Sequence, residues 1–374
     1  MQIPNKLKFS LIATISALFS LLSVELTLQI LNIPKPIKSG WTNCREFDRC
    51  NQLQFRGQMI EYSNDDFVIV LLGDSLVAAW ALEFDYIPER RLEYYFKQAK
   101  KNVKVFTIGT AGYGQDQQYL ALKEYFKSYR ADLVILYFSA ETDINDNMFP
   151  TSGANDTPKP TFWLKKGKLE GPTEGWLEEI GPKSKLMLLW QRFSRNTIGV
   201  QRNKFWEEHI LPPPYQPLIE YKGEVDYSWH KDWEKDFKMP YKGIEYEREG
   251  PINKLTPRSQ RRQYGIDLTR ELFLKIKLLV ESRGGHFIIL KDERPWELRT
   301  SDEDKIYFFK GRYYKTSLKQ YKRNIEDLFE GFEYYRIPLI ENYNVKEGDT
   351  HLNKEAIDLL MKELYIIVSK KYFH

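Results

Sequence analysis

Three side chains in this chain have the types that acyl transfer through serine requires: Ser75, Asp349 and His351. Such chemistry needs a hydroxyl nucleophile, a base to take its proton, a carboxylate to orient the base, and hydrogen-bond donors for the oxyanion. Ser75 sits in Gly73-Asp74-Ser75-Leu76, directly after the apolar run Phe67–Leu72. A base that works near neutral pH is a histidine, and the chain has five. His374 is terminal, and His209 and His230 lie in a tryptophan-rich stretch. His286 opens an apolar run and reads as a core residue. His351 alone follows the last apolar strand with a carboxylate two residues before it. An Asp-x-His triplet is common by composition, and Gly-Asp-Ser alone is a weak signal. The information lies in their order, Ser75 after the first strand and His351 just before the final helix. Asp74 reads as a turn stabiliser rather than a reacting group.

Those positions call for elements that bring them together. Phe67–Leu72 reads as a buried strand, Glu89–Lys101 as a helix and Val103–Ile108 as a second strand. The glycine-rich turn Gly109-Thr-Ala-Gly112-Tyr-Gly114 follows, then a helix over Gln115–Tyr129 and a third strand over Leu133–Phe138. After residue 256 the rhythm resumes with helix Arg258–Arg283, strand His286–Leu290, helix Thr316–Phe329, strand Tyr334–Leu339 and helix Lys354–Lys370. Alternating strands and helices imply right-handed crossovers and a parallel sheet. The expected fold is therefore α/β, a three-layer sandwich on a five-stranded parallel sheet. In such a sheet the carboxyl ends of the strands share one edge, so turns far apart in sequence converge.

Four regions follow: an anchor at 1–32, an irregular lead-in at 33–66, the α/β domain at 67–147 and 257–374, and an insertion at 148–256. The insertion holds six of the nine tryptophans and the run Pro212-Pro213-Pro214, with Lys185–His209 reading as one or two helices. Its aromatics suit either a cap over a sugar or acyl group, or simply the core of a small lobe. Residues 9–24 carry no charge, and the run continues through Glu25 to Leu31, about long enough to cross a bilayer. No small-x-small cleavage pattern follows, which favours an uncleaved signal anchor over a removed leader. Lys6 and Lys8 place the N-terminus inside, although Lys35 and Lys38 lie on the other flank. Cys44 and Cys50 then fall just outside the anchor, where an oxidising compartment permits a disulfide; two unrelated thiols is the other reading. With only two cysteines there is no zinc-type cluster, and a net charge of +4 over 374 residues argues against nucleic acid as a partner.

Taken together, the ordered blocks Gly73-Asp74-Ser75-Leu76, Gly112 within Gly109–Gly114, and Asp349-Thr350-His351 resemble the SGNH (GDSL-like) hydrolases over residues 67–147 and 257–370. The Asp-Thr-His spacing is similar to the alginate-acetylation branch. The anchor, Gly-Tyr-Gly-x-Asp-Gln and Asp-Ile-Asn-Asp-Asn look like a membrane-anchored bacterial subgroup. The resemblance implies an SGNH/flavodoxin-like fold. It makes Ser75 the nucleophile, His351 the base and then acid, and Asp349 the residue that holds the imidazole. It puts the oxyanion on the backbone N–H groups of Ser75 and Gly112. The reaction it implies, ester cleavage through an acyl-serine, uses no metal or cofactor. The partners it implies are an acylated carbohydrate or lipid and a membrane, with the catalytic domain outside the cytoplasm. Esterase, O-acyltransferase acting on a cell-surface polysaccharide, and a non-catalytic glycan-binding or assembly protein all fit this pattern. The third block departs from it: Glu141-Thr142-Asp143 stands where the family has Gly-Asn-Asp. The asparagine amide is an oxyanion donor, and losing one such donor costs on the order of 100- to 1000-fold in rate. Thr142 offers a shorter hydroxyl in its place.

Overall fold

A computed structural model of the chain describes residues 5–31, 44, 49–140, 142–152, 157–172, 186, 203–225, 247–248, 253–298, 303–347 and 349–373. Its centre is a five-stranded parallel sheet: β1 (Phe67–Gly73), β2 (Val103–Gly109), β3 (Leu133–Tyr137), β4 (His286–Glu293) and β5 (Tyr334–Pro338). The spatial order is β2-β1-β3-β4-β5, and every adjacent pair is parallel. This is the flavodoxin-like order, in which the chain leaves β1 towards one side and returns as β3 on the other. The loops after β1 and β3 therefore diverge and open a crevice at the carboxyl edge.

The strands read as unbroken apolar runs because both faces are covered. Successive side chains alternate between two cores. Val68, Val70 and Leu72 of β1 pack under three helices: α4 (Gln115–Tyr125), α6 (Gln260–Glu281) and α7 (Leu318–Phe329). Ile69 and Leu71 face α3 (Pro88–Gln98) and α8 (Lys354–Tyr372) on the other side. Two short helices, α2 (Ser75–Ala78) and α5 (Asp143–Met148), begin right after β1 and β3. Helix starts are fixed by side-chain caps: Ser259 accepts from Arg262 N, Ser317 from Gln320 N and Asn353 from Ala356 N.

The N-terminal helix α1 (Asn5–Leu31) contains Ile12–Leu31, long and apolar enough to cross a membrane, and none of that stretch is buried. Cys44 and Cys50 are joined by a disulfide.

Two sequence expectations need correction. His286 is exposed at the start of β4, with its ring beside Tyr372, because the strand's buried run begins one residue later. Ahead of α7 lies an antiparallel hairpin, Lys305–Phe309 with Arg312–Thr316, which the helical reading of Thr316 onward passed over. Its turn, Lys310-Gly311, has positive φ at both residues, the signature of a two-residue hairpin turn. Where it is described, the lead-in has turns and isolated bridges rather than a helix or strand. Residues 49–60 form a buried turn against β1 and β2, with Asn51 Nδ2 donating to Thr107 O at 2.9 Å and Asn51 Oδ1 accepting from Leu53 and Phe55 N–H groups.

Within the insertion, Trp163 and Trp206 meet edge to face at 5.9 Å, and Trp206 is buried with Met148, Phe149 and Leu211. Those two rings supply core to a small lobe. Residues 203–209 are helical. The other four tryptophans of the insertion, and the rest of Lys185–His209 apart from Leu186, lie outside the described residues.

Candidate active site

The position of Ser75, the candidate nucleophile, is set by a close approach of two paired strands. Gly73 pairs with Gly109 in the β1–β2 register. A Cβ on Gly109 would come within 2.2 Å of Gly73 O, and one on Gly73 within 2.9 Å of Val77 Cγ1. Glycine at 109 lets β2 lie against the Gly73 carbonyl, and glycine at 73 leaves room for Val77 where β1 runs into α2. Asp74 caps that helix, its carboxylate accepting from Leu76 N at 2.8 Å. Ser75 is thereby the first helical residue, half-buried, with Leu76 and Val77 anchored in the core beneath it.

The second oxyanion candidate, Gly112, adopts φ 76° in a turn closed by Tyr113 N donating to Thr110 O. Glycine suits this left-handed position. Among the described residues, the backbone N–H groups of Ser75 and Gly112 have no hydrogen-bond partner.

His351 lies in the loop between β5 and α8, and the loop is tied back on itself. Val345 N donates to His351 O at 3.0 Å and Asn353 N to Tyr343 O at 2.7 Å. Arg294, at the end of β4, reaches Thr350 O at 3.3 Å. Asp349 Oδ1 accepts twice from His351, from the backbone N at 2.9 Å and from Nδ1 at 2.6 Å. The backbone N–H of His351, followed by its imidazole, holds the Asp349 carboxyl below the usual carboxylate range against a modest opposing effect of burial. An ionised carboxylate on Nδ1 requires the proton there, which leaves the Nε2 lone pair free to act as base. The His351 side chain is 40% exposed and that of Asp349 22%, so the base opens towards solvent while its partner sits behind it.

His351 also faces the Ser75 turn. Burial pushes the Asp74 carboxyl up to about 6; the Leu76 N–H and the charge of a protonated His351 oppose this, and Asp292 adds to it. The turns that carry Ser75 and the Asp349–His351 pair both follow strands of the parallel sheet and so lie at its carboxyl edge. Among the described residues no hydrogen bond joins Ser75 to His351, a common state of catalytic pairs before substrate closes them.

The third block is placed differently from the expectation. Thr142 is exposed and its hydroxyl donates to Ser139 Oγ at 2.9 Å. Glu141 lies outside the described residues. Asp143 is fully buried, accepting from Ser139 N at 3.0 Å and Gln115 Nε2 at 2.6 Å through Oδ2, while Oδ1 has no partner. Burial first, and then the charge of Asp74, push its carboxyl well above the ordinary range.

Sequence reasoning missed the network that joins these turns. Asn147 accepts from Gln115 N at 2.7 Å and donates to Gln115 Oε1 at 2.6 Å, tying α5 to the start of α4. Gly114 must be glycine here, since a Cβ would lie 2.6 Å from Asn147 Oδ1. Asp116 forms a buried ion pair with Lys159, which comes from the insertion. Asn253 donates to Ala140 O at 2.7 Å. The signal was present in the polar residues of Gly-Tyr-Gly-Gln-Asp-Gln and Asp-Ile-Asn-Asp-Asn. Their number on short buried elements demanded partners.

No family model and no curated protein matches the chain. Solved structures to which it is similar include the psychrotrophic esterase EstA from Pseudoalteromonas sp., 9% identical with a TM-score of 0.37 over 82% of this chain and 98% of that one. TesA is 7% identical with a TM-score of 0.37 over 81% of this chain and 98% of that one. AlinE4, an SGNH-hydrolase family esterase, is 22% identical with a TM-score of 0.19 over 20% of this chain and 40% of that one. These overlaps are loose, and the fold stands on the strand order and register of the chain itself.

Proposed function

We propose that this protein is a membrane-anchored serine esterase of SGNH type that cleaves acyl esters, acetyl foremost, of a carbohydrate or lipid outside the cytoplasm. The observation that carries the reading is the Asp349–His351 pair, 2.6 Å apart with Nε2 free, at the same sheet edge as the capped Ser75 turn. Ser75 Oγ attacks the ester carbonyl as His351 Nε2 takes the hydroxyl proton, and Asp349 stabilises the imidazolium. The oxyanion is received by the free N–H groups of Ser75 and Gly112, with the Thr142 hydroxyl turning from Ser139 to join them. The tetrahedral adduct collapses, the C–O bond to the alcohol breaks, and His351 returns the proton to the leaving oxygen. Water, activated by the same Nε2, then releases the acid. If a sugar hydroxyl replaced water in that last step, the same residues would run an O-acyltransferase. The apolar length of Ile12–Leu31 and the two lysines before it support an anchor with the body outside, where Cys44–Cys50 stays oxidised.

The test is labelling by a serine-reactive fluorophosphonate, comparing wild type with Ser75→Ala. Labelling of wild type only supports the enzyme. A wild type that reacts no faster than Ser75→Ala supports instead a non-catalytic glycan-binding or assembly role, which the pairing of Thr142 with Ser139 favours.

A further inference from the structure

The helix that carries Ser75 is only one turn long, and a single turn is unstable without outside support. Its N-terminus is held by Asp74, but its last carbonyls have no partner within the helix. The support comes from the lead-in. Arg56 is 4% exposed and its guanidinium donates through Nη1 to Ala78 O at 3.0 Å and to Ala79 O, and through Nη2 to Leu82 O at 2.7 Å. These carbonyls span the end of α2 and the turn after it. Ala79 has φ 43° and ψ 51°, a left-handed C-cap without glycine that needs outside help to persist.

Arg56 is itself anchored. Its backbone bridges to Cys50, the disulfide-linked residue, and Gly57 N donates to Arg49 O at 3.0 Å. The next residue, Gln58, donates through its N–H to buried Glu89 at 2.7 Å. Gly57 has no room for a side chain, since a Cβ would lie 2.4 Å from Glu89 Oε2. The guanidinium therefore stands on a rigid base.

We propose that Arg56 is a positioning residue for Ser75, fixing the angle at which α2 presents the hydroxyl to His351 and the Ser75 N–H to the oxyanion. This rests on the esterase reading. A planar fork of five donors matches several carbonyls at once, whereas an ammonium is a single point of donors. Arg56→Lys is thus not conservative at this position.

The test is steady-state hydrolysis of p-nitrophenyl acetate and the rate of fluorophosphonate labelling, with Tm measured on each protein. Wild type, Ser75→Ala, Arg56→Gln, Arg56→Lys and Gln58→Ala are compared. Gln58 belongs to the same turn but touches β2 and α3 rather than α2. Arg56→Gln is expected to lower kcat and the labelling rate by roughly 10- to 100-fold with KM changed by less than about threefold, since a displacement near 1 Å has that effect. Arg56→Lys should fall between, and Gln58→Ala should lower Tm without lowering kcat. The proposal is overturned by Arg56→Gln with kcat within about threefold of wild type, or by Gln58→Ala losing as much kcat at an equal loss of Tm. Should Arg56→Gln fail to fold, Arg56→Lys is judged by the same threshold. A wild type with no Ser75-dependent rate overturns the esterase and the positioning role together; a reactive wild type beside unaffected Arg56 variants overturns the positioning role alone.

Discussion

Lys159→Met isolates a fully buried ion pair in the network that joins the turns of the candidate site. The side chains of Lys159 and Asp116 are 2% and 0% exposed, so neither charge reaches water. Burial raises the Asp116 carboxyl, and Lys159 is the largest influence opposing that rise. Removing the ammonium leaves a buried carboxylate with no cation, which costs about 3–5 kcal/mol. Replacing both groups removes the desolvation penalty as well, so Lys159→Met with Asp116→Leu should recover most of the loss. Thermal and urea unfolding of a fragment starting at residue 33 measures this. The expected fall in Tm is roughly 6–10 °C at about 2 °C per kcal/mol for a domain of this size. The pH dependence gives a second reading. In the single variant Asp116 has a folded pKa raised above its unfolded one. Its contribution is therefore most favourable below the unfolded value and is lost as pH rises through the folded value. The deficit should shrink between pH 7 and pH 4.5. A single variant within about 1 kcal/mol of wild type, or a double variant no better than the single, would refute the reasoning.

Three further outcomes are expected. Asp349→Asn should lower kcat by about 10²- to 10⁴-fold with little change in Tm, because the imidazole loses its orienting charge at a half-exposed site; stopped-assay kinetics beside a melting curve check it. Thr142→Asn should raise the rate on p-nitrophenyl acetate, and Thr142→Val should lower it by up to about two to three powers of ten if the hydroxyl leaves Ser139 for the oxyanion; an unchanged Thr142→Val would leave the hole to Ser75 and Gly112. Deleting residues 1–32 should give a soluble protein with unchanged labelling, read by fractionation, since the described body begins well after Leu31.

The sheet was legible in the sequence because strands buried on both faces need long runs of Val, Ile and Leu, and β1 supplies one from Phe67 to Leu72. The glycines of the site were legible for a related reason, since turns at strand ends tolerate little else. What escaped was held by polar groups at long range. Asn51 reaches Thr107, Arg56 reaches Ala78, and Lys159 reaches Asp116, each across tens of residues with no periodicity to mark it. Residues 49–60 are irregular, and their order comes from hydrogen bonds within the turn and to other elements rather than from a repeating pattern. The hairpin at Lys305–Thr316 was hidden by its tyrosines and phenylalanines, which suit a helix face as well as a strand.

The packing of α3 against α8 sets a timetable. Arg91 and Tyr95 of α3 bind Asp358 of α8, and Arg91 precedes that partner by 267 residues. Ribosomes add about 5–20 residues per second, so this pair waits roughly 13–50 s for its second half. During that interval the core shared by Ile69, Leu71 and Ile135 is roofed by α3 and still lacks the side chains of α8. The Ser75 turn exists before His351 has been made. A chain tethered by its first helix would thus hold a half-covered apolar sheet face close to the membrane until α8 arrives, and the candidate site would be assembled in a single late step rather than by degrees.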